Sequence, residues 1–289
     1  MKPSESLFVP VRGLRYHCRC WGDEDAPVLF MLHGWMDVSA SFQFLVDSMR
    51  GGWRVIAPDW RGFGLTDWNQ SGSYWFPDYF ADLDALLERF QPGEPATLVG
   101  HSMGGNVAAM YAGIRPERVV KLVSLEGFGL GGSAPEKAPG RYARWLDELT
   151  GEAPGFRDYD TFESLAERLR GNNPRLSHER ALFLARHWGK RKPDGRVELA
   201  SDPAHKLVNP ILYRADEAAA CWKRVAAPVL WVSGQETEIH RAMKISDGDL
   251  AQRKACFPRL SERVIADAGH MLHHDQPERL AEVIEEFLR

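Results

Sequence analysis

Cysteine is scarce in this sequence, with four residues in a chain of 289. The four cysteines form no pair of C-x-x-C motifs, the spacing that is typical of a structural zinc site. The sequence therefore predicts no cysteine-based metal centre. We interpret all four residues as reduced structural thiols, namely Cys18, Cys20, Cys221 and Cys256.

Long hydrophobic runs and dense basic runs are also missing. No apolar segment approaches the roughly 20 residues that a membrane-spanning helix needs, and residues 1–6 lack the apolar core of a signal peptide. The formal net charge of -4 argues against a nucleic-acid or anionic-membrane surface. We therefore expect a cytoplasmic protein, a monomer or homodimer, whose partner is a small molecule and neither a nucleic acid nor a membrane.

The composition that remains is ordinary for a globular chain, and its pattern predicts an α/β fold. Short apolar runs alternate with helical patterns, which indicates a mostly parallel sheet flanked by helices, opened by an antiparallel hairpin. From residue 131 to 215 we find no buried strand, only short amphipathic helices. We therefore predict a core domain of residues 1–130 and 216–289 and an inserted helical cap domain of residues 131–215. The eight predicted strands are 7–11, 14–21, 28–32, 53–57, 96–99, 119–125, 227–234 and 259–266.

The stretch with the clearest chemical meaning is Gly100-His101-Ser102-Met103-Gly104. An apolar run ends just before it, and an alanine-rich helical pattern starts within it and runs to Pro116. This is the G-x-S-x-G nucleophile elbow, a turn so tight that small residues flank the serine and leave its hydroxyl exposed. A serine here can also be a simple N-cap, but the strand before it and the helix after it favour Ser102 as a nucleophile.

A serine hydroxyl needs a base, and the best candidate is His270 in the loop after the last predicted strand. Read together, His270, His273, His274 and Asp275 resemble a metal-binding run, but helical H-E-x-x-H spacing is missing and a serine nucleophile needs no zinc. We predict no metal and no cofactor. His273 and His274 are interpreted as helix-entry residues, and Asp275 as the cap of the final helix.

The acid that orients the base is the open question. In this architecture it commonly follows the penultimate strand as Gly-x-x-Asp, but that place is occupied by Thr237. We favour Glu126, at the end of the strand that follows the elbow helix, because its loop lies at the same edge of an open α/β sheet. Glu238 is the second choice and Glu236 the third, since both flank Thr237.

Acyl transfer also requires backbone amides that hold the developing oxyanion, worth about 3 kcal/mol each. Met103, directly after the nucleophile, is expected to supply one amide, and Trp35 the other. Asp59 and Arg61, in the glycine-rich loop after the fourth strand, are interpreted as an ion pair that braces the loop.

Four motifs together resemble the α/β-hydrolase fold with a helical cap: residues 33–35, 59–64, 100–105 and 269–270. Residues 33–42 and 172–177 are similar to the serine hydrolase-like branch of that superfamily. The resemblance implies two-step acyl transfer, with carboxylic esters of small apolar or aromatic compounds as the default substrates. Thioester, lactone or carbon-carbon bond hydrolysis would use the same residues, and a non-catalytic ligand receptor on this scaffold is the competing class. The residues expected to contact substrate are Phe128, Trp145 and Trp188.

Overall fold

The computed structural model describes residues 1–152 and 154–289. The strands are β1 (Ser4–Val11), β2 (Leu14–Trp21), β3 (Val28–Leu32), β4 (Arg54–Pro58), β5 (Ala96–His101), β6 (Val119–Leu125), β7 (Gly189–Arg191), β8 (Val197–Leu199), β9 (Val229–Gly234) and β10 (Leu260–Ile265). The α-helices are α1 (Gln43–Ser48), α2 (Phe76–Phe90), α3 (Met103–Ile114), α4 (Ala138–Thr150), α5 (Phe162–Asn172), α6 (His178–Trp188), α7 (Ala215–Trp222), α8 (Ile239–Ala242), α9 (Asp247–Lys254), α10 (Leu272–Asp275) and α11 (Pro277–Leu288).

Eight strands form one sheet in the order β1-β2-β4-β3-β5-β6-β9-β10. The β1–β2 hairpin pairs antiparallel internally and also against β4. All the remaining neighbours in this sheet are parallel. The predicted fold class, a mostly parallel eight-stranded sheet flanked by helices, is therefore confirmed. Because parallel strands end at the same edge, the loops after β3, β5, β6, β9 and β10 converge there.

The strand β3 shows why its sequence is a continuous apolar run. Successive side chains of a strand point to opposite faces, and here Phe30 and Leu32 enter the core on the side of α2 and α3. Leu29 and Met31 enter a second core, on the side of α1 and α11. Both faces of β3 are thus buried, as expected for a strand covered by helices on both sides.

The segment between β6 and β9 contains helices α4 to α7. Helices α5 and α6 each bury an apolar face, with Leu165, Leu169, Ala181 and Leu184 in a third apolar cluster. The expectation that this segment contains no buried strand is wrong in one detail, since β7 and β8 pair antiparallel and Val197 is buried. Three-residue strands are too short to produce a readable alternation of apolar and polar residues.

Helix α4 leaves its apolar face unburied. The sequence places Tyr142, Trp145, Leu146 and Leu149 on one helical face, yet the helix contains no buried residue. Leu146 keeps 54% of its surface exposed, so amphipathic spacing alone did not lead to burial. Across the described ranges, no helix combines the length and the apolar character that crossing a membrane requires.

Candidate active site

Ser102 lies in a strained turn between β5 and α3. Its backbone has φ 49° and ψ -113°, a conformation that costs a residue with a side chain on the order of 1–3 kcal/mol. The Ser102 amide donates to the Leu125 carbonyl at 2.8 Å and fixes the turn to β6. A side chain on Gly104 would overlap the Leu32 carbonyl, and one on Gly100 would overlap the Gly104 backbone. The glycines of the motif are therefore required by this close approach.

His270 is held in the loop between β10 and α10. Its backbone carbonyl accepts a hydrogen bond from Nε2 of His101 at 2.9 Å. The neighbouring Gly269 amide donates to Asp275 Oδ2 at 2.9 Å, and Asp275 Oδ1 accepts from Nδ2 of Asn173 at 2.7 Å. Asp275 thus joins the histidine loop to the helical segment. The prediction that Asp275 caps the final helix is wrong, since Gln276 occupies the N-cap of α11.

Glu126 is the carboxylate that meets His270. Its Oε2 lies 3.3 Å from His270 Nδ1 and also accepts a hydrogen bond from Thr237 Oγ1 at 2.7 Å. The other oxygen, Oε1, accepts the Gly234 amide at 2.8 Å. Only 1% of Glu126 is exposed, and its backbone has a φ of 57°. Three neighbours therefore hold a buried carboxylate in one orientation.

The two alternative acids point elsewhere. Glu238 forms an ion pair with Arg241 at 3.0 Å, and 71% of its side chain is exposed. Glu236 pairs with Arg175 of the helical segment, and half of its side chain is exposed. The structure therefore brings His270 together with Glu126 and with neither of these two.

The loop after β3 passes directly over the elbow. His33 is neutral and structural: Nδ1–H donates to the Gly34 carbonyl at 2.7 Å, and Nε2 accepts the Trp60 amide at 2.8 Å. Burial lowers the pKa of His33. A Cβ on Gly34 would lie 3.3 Å from the Ser102 Cβ, so glycine permits the close approach of loop and nucleophile. This approach brings Trp35 beside the elbow.

A second loop, after β4, braces the first, but not by the predicted ion pair. Asp59 accepts from His17 Nδ1 at 2.7 Å and from the Ser39 amide at 2.6 Å. Arg61 instead pairs with the buried Asp82 at 2.5 Å. The Asp59–Arg61 prediction is wrong because the Asp59 carboxylate is held by His17 and the Ser39 amide, while the Arg61 guanidinium pairs with Asp82 of α2.

Ser102 opens onto two cavities, of about 490 Å³ and 310 Å³. Trp35, Ser102 and His270 line both. Met103, Glu126 and two of the predicted substrate residues, Phe128 and Trp145, line the larger cavity. The third, Trp188, lines the smaller one.

The larger cavity is mainly apolar. Within the part of the chain that the structure describes, its titratable lining is confined to Glu126, His205, His270 and two tyrosines, Tyr74 and Tyr79. Burial and the acceptor Asp202 raise the pKa of Tyr74, and burial raises that of Tyr79, so both rings are neutral. The cavity suits an uncharged group.

Sequence reasoning missed one wall of this cavity. Tyr74, Trp75, Phe76 and Tyr79, at the start of α2, all line it. His205, from the helical segment, stacks on Tyr74 with ring centroids 3.7 Å apart, and burial lowers its pKa to about 3. The run of aromatic residues before α2 was visible in the sequence, but nothing indicated that it faces Ser102.

Comparison with known proteins identifies the fold family. Residues 27–277 match the model of the α/β hydrolase fold. The chain belongs to the α/β-hydrolase fold family. Serine hydrolase-like protein of Danio rerio is 30% identical over 100% of this chain and 90% of its own length, which supports the serine hydrolase-like branch.

Two solved structures illustrate the range of the fold. The thioesterase domain from the curacin biosynthetic pathway has a TM-score of 0.88 and 25% identity, covering 98% of this chain and 99% of that domain. An esterase from Mycobacterium tuberculosis has a TM-score of 0.75 and 20% identity, covering 100% of this chain and 92% of the esterase. At 20% identity the second likeness concerns the fold alone.

Proposed function

We propose that this α/β hydrolase is a serine hydrolase that cleaves carboxylic esters of apolar or aromatic compounds through Ser102, His270 and Glu126. The observation that supports it best is the contact between buried Glu126 and His270 Nδ1, beside a serine in an elbow conformation. A carboxylate on Nδ1 fixes the tautomer that leaves Nε2 free to accept the serine proton. A lone elbow without such a pair would support only a structural turn.

The proposed reaction has two steps. His270 Nε2 takes the proton of Ser102 as Oγ attacks the ester carbonyl carbon, and the amides of Trp35 and Met103 donate to the oxyanion. The tetrahedral intermediate collapses, the C–O bond to the alcohol breaks, and the alcohol leaves with the proton from His270. Water, deprotonated by His270, then attacks the acyl-enzyme and releases the acid.

The proposed substrate follows from the cavities on either side of Ser102. An apolar or aromatic acyl group suits the larger cavity, against Phe128 and Trp145, since burying apolar surface contributes about 25 cal/mol per Å². Trp188 borders the smaller cavity, which suits the leaving alcohol. Residues 131–215, proposed to be a cap domain, contribute Trp145 and Trp188 and therefore influence substrate choice.

The test is hydrolysis of p-nitrophenyl acetate, butyrate and octanoate by the wild type and by Ser102→Ala. We expect serine-dependent turnover, with kcat falling about 10⁶-fold in the variant, because the nucleophile acts as a unit with its base. The control is Ser71→Ala, a change at an exposed serine of the loop before α2, which should leave turnover unchanged. Turnover that survives in Ser102→Ala, or none on any ester, would contradict the proposal.

Thioester hydrolysis is a second candidate, favoured by the 25% identity with a thioesterase domain over nearly the full length of both chains. The same triad can attack a thioester carbonyl, and the thiolate then leaves in place of the alkoxide. Acyl-coenzyme A and matched p-nitrophenyl esters of the same acyl group separate the two functions. A kcat/KM at least tenfold higher for the thioester would favour the second.

A further inference from the structure

A second cluster of chemically active side chains lies beneath the elbow. Asp37, His101 and His273 each offer a donor atom, and these atoms all lie within 4.8 Å of one another. At most 3% of any of the three residues is exposed. The hydrolytic reaction proposed above uses none of them.

The orientation of two of these side chains is set by hydrogen bonds to their other polar atoms. Nε2–H of His101 donates to the His270 carbonyl at 2.9 Å, which leaves Nδ1 with a bare lone pair. Oδ1 of Asp37 accepts from the Val38 amide at 2.8 Å and from the Ser41 hydroxyl, which leaves Oδ2 free. Metal-binding histidines and carboxylates in proteins are oriented in this way by a second layer of hydrogen bonds.

The free atoms have no hydrogen-bond partner among the described residues. This holds for Asp37 Oδ2, for His101 Nδ1 and for both ring nitrogens of His273. Buried polar atoms are normally paired, so a group of them facing one another indicates an occupant. His273 Nε2 and Asp37 Oδ2 are 3.8 Å apart, too far for a direct hydrogen bond.

The donor atoms restrict which ligand could occupy the site. One carboxylate and two imidazoles suit zinc and neighbouring transition-metal ions, whereas magnesium and calcium prefer oxygen ligands alone. The smaller cavity gives access, since both Asp37 and His101 line its wall. Three protein ligands leave one position for water in a tetrahedral site.

We propose that Asp37, His101 and His273 bind one divalent transition-metal ion, with Zn²⁺ the preferred probe, and that the bound ion inhibits the enzyme. Each ligand belongs to a different part of the proposed machinery: Asp37 to the Trp35 loop, His101 to the elbow, and His273 to the helix after His270. In a tetrahedral site with zinc bonds of about 2.0–2.1 Å, Asp37 Oδ2 and His273 Nε2 would lie closer together than the 3.8 Å that separates them here. The proposed inhibition would act through this contraction, by moving the Trp35 amide and His270 relative to Ser102.

This site differs from the metal-binding run considered from the sequence. That run joined His270, His273, His274 and Asp275, whereas the structural cluster shares only His273 with it. Asp37 and His101 are remote in sequence from His273, so spacing along the chain could not reveal the group.

Binding is tested on Ser102→Ala, so that the result does not depend on hydrolytic activity. Calorimetry with Zn²⁺ is expected to show one equivalent bound, and Co²⁺ in its place is expected to give the visible bands of a four-coordinate ion. Removing a ligand in His273→Gln or Asp37→Asn should abolish both signals. Ser41→Ala, which removes a bond that orients Asp37, should weaken binding about 10- to 100-fold.

The matched control is His178→Gln, a change at an exposed histidine that pairs with Glu167. It should leave zinc binding unchanged. The site would be overturned by loss of zinc binding in His178→Gln or by the absence of bound metal in Ser102→Ala. It would also be overturned if zinc binding were lost in His270→Ala but retained in His273→Gln. If circular dichroism shows that His273→Gln and Asp37→Asn do not fold, the cobalt spectrum of Ser102→Ala tests the site instead. A six-coordinate or free-ion spectrum would overturn the proposal.

Inhibition is tested separately on the wild type. Ester turnover should fall along the same zinc titration that saturates binding, recover with EDTA, and be insensitive to zinc in any folded ligand variant that retains turnover. Zinc that binds at these residues without slowing turnover would overturn the inhibitory role. If the wild type hydrolyses no ester, the proposed function fails while the binding experiment still decides the metal site.

Discussion

Two neighbouring loops at the active edge of the sheet have opposite characters. The Glu126 loop, residues 126–131 after β6, buries its carboxylate against two donors and His270. The Thr237 loop, residues 235–238 after β9, exposes both of its carboxylates and directs its hydroxyl inward to Glu126. The loop that commonly supplies the acid in this architecture here supplies a hydrogen bond to an acid on the next strand.

The difference shows what a triad requires. Because β6 and β9 are adjacent and parallel, their carboxyl ends lie side by side, and either loop can reach His270. The identity of the loop therefore matters less than having one buried carboxylate whose orientation is fixed. Glu236 and Glu238 are exposed and form ion pairs with arginines, Glu236 with Arg175 and Glu238 with Arg241.

Among changes in the two loops, the largest effect is expected from Glu126→Gln, which removes the charge and keeps the shape. We expect kcat for p-nitrophenyl butyrate to fall about 10⁴-fold, because the histidine loses its tautomer and the stabilisation of its protonated form. Glu238→Gln and Glu236→Gln, measured in parallel, should stay near wild type, since exposed ion pairs contribute little. A larger loss in either of those variants would reverse the comparison of the two loops.

The comparison can be sharpened by moving the acid between the loops. In Glu126→Gln/Thr237→Asp, a carboxylate replaces a hydroxyl that lies 2.7 Å from the Glu126 oxygen facing His270. We expect kcat to recover at least tenfold over Glu126→Gln alone, since removing an orienting charge costs several orders of magnitude. Glu126→Gln/Thr237→Asn is the control and should not recover. Equal rates in the two double variants would mean that position 237 cannot act on His270.

A smaller effect is expected when Thr237 loses its hydroxyl. A hydrogen bond to a charged group contributes about 1.5–3 kcal/mol, so Thr237→Val should lower kcat by about tenfold or more. Its KM should change little, because Thr237 does not line either cavity beside Ser102 in the described structure. Thr237→Ser should restore kcat. Steady-state kinetics on one ester would show a change in KM instead if the residue contacted substrate.

The smallest effect on the comparison of the two loops is expected at His205, which lines the larger cavity from the helical segment. Burial lowers its pKa to about 3, against about 6.5 in an unfolded chain. The unfolded state therefore binds the proton first, and the contribution to stability is present above pH 6.5 and is lost as the pH falls toward 3. Between pH 8 and pH 5 this amounts to about 2 kcal/mol.

His205→Phe should preserve the aromatic stacking and remove this pH dependence. Urea unfolding of wild type and variant at pH 8 and pH 5 measures the difference. The kcat of Glu126→Gln relative to wild type should be the same in a His205→Phe background. Parallel pH dependences of stability in the two proteins would show that His205 does not titrate on unfolding.

Much of the site could be predicted from local sequence because local geometry creates it. Gly100, Gly104 and the strand-helix pattern around Ser102 predicted a tight turn, and the turn has the strained backbone expected of an elbow. Continuous apolar runs such as β3 predicted strands buried on both faces. Helix α4 shows the limit of such patterns, since its apolar face is regular and yet unburied.

The sequence by itself determined the α/β class, the serine elbow and the histidine loop, because each depends on residues adjacent along the chain. Only the tertiary structure decided which carboxylate meets His270, which aromatic residues form the cavity, and that Asp37, His101 and His273 converge. Those facts depend on the order of the strands and on which loops become neighbours. Contacts between distant segments arise from packing of the whole sheet and its helices, and no short stretch of sequence contains that information.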